Sequence, residues 1–498
     1  SIVKVQLVLM VVKQVGAVVV IEMKKVVVII FLFVAAFGFS QQDSTLVYKK
    51  RVLDQTEVDF LISYYAQDGD NAAVTGGIGT EELTDITPTI VISVPLNEDD
   101  VLTVDAGISS YTSASSSNLN PFDKTGASNG GEGHDDDRLA PGDVTGSPWV
   151  ASSGASRQDV WASGTVDYSH SSDDRNLIWN ANVSFATEFD YSSIGFGGGI
   201  AKQFNDKNTE LGAHVKIYLD TWNPRYPTEL DSYLEVNGNL NDGFFEGVTI
   251  WDQNGNASTQ WQPVDGFALI KDKGRNTYSL SLSWSQVLSK NAQFSVFLDL
   301  VQQQGWLANP MQRVYFADID NYYIGNSESI PFYTSKQNTD VFQLADDIER
   351  LPDTRFKYPF GFRFNYYLNE KFTVRTYYRY YADDWGISSH TASVEVPFKV
   401  SPKFTLYPSY RFYNQTAADY FAPYETHVSS QEFYTSDYDL SKFNANQFGM
   451  GISYTDVFTQ SHIWKFGLKS IDLKYNYYKR NTGLTANFVA LGVKFLLD

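Results

Sequence analysis

Chemistry at a protein site needs a nucleophile, a proton carrier or a set of metal ligands, and this chain offers few of them. It has no cysteine and six histidines, His134, His170, His214, His390, His427 and His462. No G-x-S-x-G elbow accompanies them, so no catalytic residue is assigned. The stretch "GGEGHDDDRLAPGD" packs Glu132, His134, Asp135, Asp136 and Asp137 into six residues, and "WDQNGNAS" supplies Asp252, Asn254 and Asn256. Calcium takes clustered oxygen ligands, but a solvated acidic loop tip accounts for both stretches. Neither a metal nor a cofactor is assigned.

Charges placed at a spacing of two are more informative. Arg363, Arg375, Arg379 and Arg411 alternate with Phe362, Val374, Tyr378 and Tyr410. Glu57, Asp59, Asp105 and Asp167 alternate in the same way among apolar residues near the start of the chain. On extended backbone, alternate side chains point to opposite faces, so each set shares a face only if its segments are strands. If those strands close into a ring with the apolar face outwards, the arginines line one wall of the lumen and the carboxylates line the opposite wall. The alternative is that these charges pair with neighbours such as Glu395 and fill a plugged lumen.

The elements that must position them are legible. "TEVDFLISYY" puts Val58, Phe60, Ile62 and Tyr64 on one face. In "TPTIVISVPLNEDDVLTVDAGISSY" two alternating runs flank the turn Asn97–Asp100. "NTYSLSLSWSQ" sets Tyr278, Leu280, Leu282 and Trp284 against a ladder of Ser279, Ser281, Ser283 and Ser285. Period two of this regularity means strands with one apolar and one polar face. About sixteen such segments run from 57–65 to 485–497, and their connections sort by parity. Those of 66–84, 113–156, 221–274, 302–356 and 414–443 fall on one side, whereas the other side has short turns, 457–467 being its longest. Short periplasmic turns and long outer loops are the signature of a transmembrane barrel.

The expected fold is therefore all-β, a transmembrane antiparallel β-barrel of about sixteen strands, closed between the first and the last. Trp161, Trp179, Trp284, Tyr366, Tyr410 and Phe412 stand at strand ends, where interfacial aromatic girdles form. The formal charge of −20 gives no basic footprint for a nucleic acid. "MKKVVVIIFLFVAAFGFS" reads as a secretory signal peptide over 23–40 with cleavage before Gln41, too short and wrongly flanked for a spanning helix. Residues 1–22 read as upstream translation, 41–56 as a short periplasmic segment and 57–498 as the barrel. These features address the chain to the bacterial outer membrane.

The closing strand, "TANFVALGVKFLLD", resembles the C-terminal signal read by the outer-membrane assembly machinery, with Gly492, Phe495 and Leu497 at its positions. It departs from that pattern at Ala490 and in ending on Asp498. The segments "SYYAQDGDNAAVTGGIGTEELTDITPTIVISVPL", "SSGASRQDVWASGTVDYSHSSDDRN", "FDYSSIGFGGGIAKQFNDKNTEL" and "YLDTWNPRYP" resemble the DUF3570 family of bacterial outer-membrane proteins over most of the mature chain. That family carries no catalytic residues to transfer. The resemblance implies periplasmic redox proteins as partners, beside outer-membrane lipid and the assembly machinery.

Two readings follow from the residues. The first is a channel or transport component for small polar solutes. The second is a barrel closed by its aromatic-rich loops, such as 302–356, that serves as a platform for a periplasmic or surface redox or assembly partner. An enzyme built on the outer loops is a third and lacks a motif. The signal-peptide assignment predicts an intact mass for the purified protein that starts at or near Gln41, and a chain retaining residues before Met23 contradicts it.

Overall fold

A computed structural model describes residues 51–113, 159–188, 191–223, 226–264, 266, 272–333 and 340–497. The stretches read as upstream translation and as a signal peptide, and the acidic segment with Glu132 and His134, lie outside the described residues. The chain forms a closed barrel of sixteen antiparallel strands. They are β1 Thr56–Asp68, β2 Leu83–Pro95, β3 Asp100–Ser113, β4 Asp159–Ser171, β5 Leu177–Thr187, β6 Tyr191–Phe204, β7 Thr209–Trp222, β8 Lys273–Ser289 and β9 Ala292–Gly305. β10 runs in two pieces, Thr354–Lys357 and Phe360–Tyr367, followed by β11 Thr373–Ala382. β12 is also split, Ser388–Glu395 and Phe398–Lys399, followed by β13 Phe404–Gln415, β14 Phe443–Thr455, β15 Phe466–Arg480 and β16 Thr485–Leu497. Each break holds a proline, Pro359 in one and Pro397 in the other, which has no N–H to donate to the ladder.

Closure is made by β1 and β16, in register from Thr56 opposite Leu497 to Asp68 opposite Thr485. The regular last strand at the chain's end is thus the partner of the first. Apolar side chains point outwards: Phe60, Ile62, Tyr64, Val183, Phe185, Leu282 and Trp284 are exposed. The alternate face carries the serine ladder of β8, of which Ser279, Ser281 and Ser285 are buried. A soluble barrel would bury the first set and wet the second. The inversion fits hydrocarbon outside and polar groups inside.

The girdle is corrected at one position. Trp179, Trp284, Tyr366, Tyr410 and Phe412 are exposed, but Trp161 is only 2% exposed. It pairs across the ladder with Ser109 on the inward parity, stacks on Tyr191 at 5.2 Å and clusters with Trp222 against Trp306. The reason is tertiary. The outer loops fold into the mouth of the barrel and offer the indole an apolar partner there.

Those loops form a second layer with its own core. Loop 223–272 carries α1, Thr228–Glu235, and a short strand, Ile250–Asp252, that pairs with Tyr322–Gly325 of loop 306–353. Val341–Gln343 adds a third strand. Leu230, Phe245, Trp261, Leu344 and Ile348 make the apolar centre. Val314 and Phe316 pack against Tyr434 of loop 416–442.

The two faces of one strand should respond oppositely to charge. Val183, mid-strand in β5, is 52% exposed on the outer face, so Val183→Lys should cost folding about 2–4 kcal/mol in bilayers. Asn182, its neighbour, lies 3.1 Å from the Asp167 carboxylate, and Asn182→Lys should fold normally. Urea titration of refolded protein, followed by heat-modifiable mobility, checks both, and equal damage contradicts the assignment of faces.

Candidate functional site

The inner wall changes character from one end to the other. Near the outer mouth its charges are dry. Arg275, opposite Asp220 and Gly305, is 0% exposed, and Arg480 is 3% exposed. Arg480 Nη1 contacts Asp439 Oδ1 of the 416–442 loop at 2.5 Å and lies over the Phe443 ring at 4.4 Å. Arg355 Nη2 contacts Asp383 Oδ2 at 2.5 Å and stacks on Trp385 at 4.3 Å. Near the periplasmic rim the charges are wet, with the side chains of Lys469 and Arg375 43% and 40% exposed.

The four arginines singled out from sequence lie on β10, β11 and β13, on the face opposite the exposed aromatics. Arg363 stands over Phe297 and Tyr377, 5.7 Å from each ring. Arg375 Nη1 lies 3.1 Å from Glu395 Oε1, whose other oxygen is 4.0 Å from Lys474 Nζ. Arg379, opposite Gly361 and Thr391, is buried. Arg411, opposite Ser393 and Gln447, is half-buried.

The four carboxylates have partners of differing kinds. Glu57 contacts Lys469 at 2.5 Å and Lys494 at 3.4 Å, and Asp59 contacts Lys494 at 3.4 Å. Asp167 accepts from Asn180 at 2.8 Å and Asn182 at 3.1 Å. Asp105 faces Val91 and Thr165. Glu57 and Asp59 thus meet cations from β15 and β16 instead of forming a bare acidic surface. Lys494 was legible, since it alternates with Val493 and Phe495. Lys469 was not, because a bulge between Leu468 and Ser470 re-aims it, as bulges do.

At the chain's end, Phe495 lies opposite Val58 and meets Phe60 and Phe466 edge-on at 6.1 and 6.0 Å. Gly492 sits between Leu61 and Asp472, and Leu497 faces Thr56. The described histidines fall in separate places. His427 is buried in the outer loops, with Thr435 O and Gln431 Oε1 each 2.9 Å from a ring nitrogen. His214 fills the space over Gly199, and His170 contacts Asp100 at 2.6 Å. Asp252 is used by its own turn, accepting from the backbone N–H groups of Asn254 at 2.8 Å and Asn256 at 2.9 Å.

The outer loops are fastened to one another, and at Gln415 to a strand end, by polar side chains that periodicity does not show. Arg313 binds Glu229 twice, at 2.6 and 3.0 Å, and donates to Val74 O at 2.7 Å. Glu229 holds the Arg313 guanidinium charged against its burial. Gln415 donates to Asp439 O at 2.8 Å, and Asn71 donates to Thr482 O at 2.9 Å. Glu349 accepts from Asn309 N at 2.8 Å and Thr435 Oγ1 at 2.5 Å.

Burial pushes the Glu349 carboxyl up to about 8, with Asp437 beside it adding to the rise. Asp346, which accepts from Phe316 N at 2.8 Å, is pushed by burial up to about 8. Asp437 is pushed by burial and by Asp439 up to about 7. Carboxyls raised this way stabilise the folded loops fully below their unfolded value near 4 and lose that contribution as pH rises through 7 to 8. Protection factors in 306–333 and 416–442, which take out the base-catalysed rise of the intrinsic exchange rate, should therefore fall between about pH 4 and pH 8 while those of the barrel strands hold. Glu349→Gln should flatten part of that fall. Protection factors in these loops that stay constant over this range would refute the assignment.

A family model described as "Protein of unknown function (DUF3570)" matches residues 30–491. No curated protein matches this sequence. Among solved structures, a "Bacterial polysaccharide outer membrane secretin" is similar with TM-score 0.41 and 8% identity, covering 89% of this chain and 98% of that one. A Pseudomonas aeruginosa FadL homologue has TM-score 0.36 and 9% identity, covering 90% and 91%. A BenF-like porin from Pseudomonas fluorescens Pf-5 has TM-score 0.35 and 8% identity, covering 89% and 99%. Likeness at this level carries no argument about activity or cargo. A closed sixteen-stranded barrel with its apolar face outwards places the chain in the bacterial outer membrane.

Proposed function

The chain belongs to the DUF3570 family, to which no function is attached, and we propose that it is a gated outer-membrane passage for small polar solutes. One observation carries this reading: the lumen wall is wet and charged at the periplasmic rim and dry at the outer mouth, where Arg275 is 0% exposed against 43% for the Lys469 side chain. A barrel filled throughout would have no use for half-exposed ions along its lower wall. A permanently open pore would have no use for a folded cap with its own apolar centre. The wall and the cap together describe a funnel open to the periplasm and closed to the outside.

In this reading Arg363, Arg375, Arg379 and Arg411 favour anionic or zwitterionic solutes on one side of the bore. Glu57, Asp59, Asp105 and Asp167 balance them on the other, with Lys469 and Lys494 moderating the contrast. Gly492, Phe495 and Leu497 serve recognition by the assembly machinery, and lipid surrounds the wall. The cap itself favours a second reading, a closed barrel that acts as a platform for a periplasmic or surface redox or assembly partner. Neither reading assigns an enzymatic reaction.

Planar-bilayer recording separates the two. Wild-type protein should conduct weakly at pH 6 and more at pH 9, and Arg313→Gln, which unfastens Glu229, should conduct at both. Replacing the four arginines with Gln should shift the reversal potential away from anions, least at high salt where the field is screened. Folded protein, judged by heat-modifiable mobility, that stays silent in every case would reject a passage and leave the platform.

A further inference from the structure

The longest described connection at the periplasmic rim is 456–465, between β14 and β15. Its end is a small hairpin in which His462 and Ile463 pair with Gly467 and Phe466, leaving Trp464 and Lys465 as a two-residue turn. Trp464 has φ 57, the left-handed conformation that glycine adopts freely and a bulky residue does not. A tryptophan in a glycine's place is a strained choice, and burial does not offset it. Trp464 is 83% exposed, Phe458 77%, Ile463 69% and Val457 56%.

The direction of Ile463 follows from the ladder. Ile463 shares a face with Phe466, and Phe466 meets Phe495 edge-on at 6.0 Å on the outward face. Ile463 therefore continues the lipid-facing belt past the strand ends, and the exposed Trp464 adjoins it in the turn. Trp464 lies two residues beyond Phe466, about 7 Å of extended chain, which is the depth of a headgroup layer and not a long reach into the periplasm. Two cations stand beside aromatic rings at this rim. Lys465 Nζ is 5.8 Å from the Trp464 ring and Lys403 Nζ is 6.0 Å from Tyr454, itself packed on Phe404 at 5.1 Å. An indole at the edge of an apolar belt with a lysine reaching past it suits the boundary between acyl chains and phosphates.

We propose that the hairpin 456–467 anchors the barrel in the periplasmic leaflet. Trp464 and Phe458 seat at the acyl–headgroup boundary, and Lys465 and Lys403 lie on glycerophospholipid phosphates. Strain and exposure at Trp464 then have one cause, since the turn presents the indole to lipid. The chain has ten tryptophans, so Trp464 is read as the difference between wild type and Trp464→Phe. The full chain is refolded into vesicles of phosphatidylethanolamine and phosphatidylglycerol. The difference emission should be quenched by lipids brominated near the top of the acyl chain and spared by iodide. Because there is no cysteine, Gln460→Cys carries a bimane label on the same hairpin. Trp464→Gly, which relaxes the turn and so preserves folding, should move that label from brominated-lipid quenching to iodide quenching. Iodide quenching without any effect of brominated lipid in the Trp464 background would overturn the anchor and leave the hairpin as a periplasmic surface for a protein.

Discussion

Every backbone N–H and C=O that enters hydrocarbon must find a partner within the protein, and the rest of this structure depends on that constraint. Leaving such a group unpaired costs several kcal/mol, so an open sheet edge cannot lie in the bilayer. The thirteen-residue register between β1 and β16 removes the last edge. Closure in turn fixes parity. Once the ring is shut, each strand has one face to lipid and one to the lumen, and a slip of one residue would send Arg375 or Glu57 into hydrocarbon. The charges therefore defend the register as much as they furnish the bore.

Charges on the inner face must then be solvated or paired. The chain uses water at one end and protein at the other. At the periplasmic rim Lys469 and Lys494 share Glu57 and stay partly wet, a low-cost arrangement that stabilises little. At the outer mouth Arg480, Arg355 and Arg313 give up water and are held by single carboxylates, Asp439, Asp383 and Glu229. Breaking such a buried pair by removing one partner leaves an uncompensated charge and costs far more than the pair itself contributes. The same ion types are thus pliable below and locking above.

That difference also marks how far the sequence could be read. Strand positions, loop parity and the inward arginines follow from a period of two, which each strand carries in its own residues. Trp161 broke the pattern because its inward face is apolar only when Tyr191, Trp222 and Trp306 surround it, and Trp306 arrives from a loop far along the chain. Lys469 was hidden by a bulge, which resets parity locally without a sequence mark. The cap was legible only as aromatic-rich loops such as 302–356, and its internal pairings were not. Its centre joins Leu230 to Leu344, and its fastenings join Arg313 to Glu229, pairings of long separation with no periodicity to betray them. The inward parity of the arginines was therefore legible, and the partners that the folded loops bring to the outer mouth were not.

Where a molecule of this kind can move follows from the same physics. The barrel wall is over-determined, since opening any one pair of strands would expose a row of backbone groups to lipid. The cap has no such protection. Its loops reach water on their outer side, its apolar centre is small, and three of its carboxyls are buried with their ionisation pushed close to neutrality. Protonated, Glu349 and Asp346 fit a dry interface. Ionised, they are costly where burial removes them from solvent. Ionisation and charge pairing therefore act on the contacts between the outer loops, where Glu349 meets Asn309 and Thr435 and Asp346 meets Phe316, and leave the wall alone.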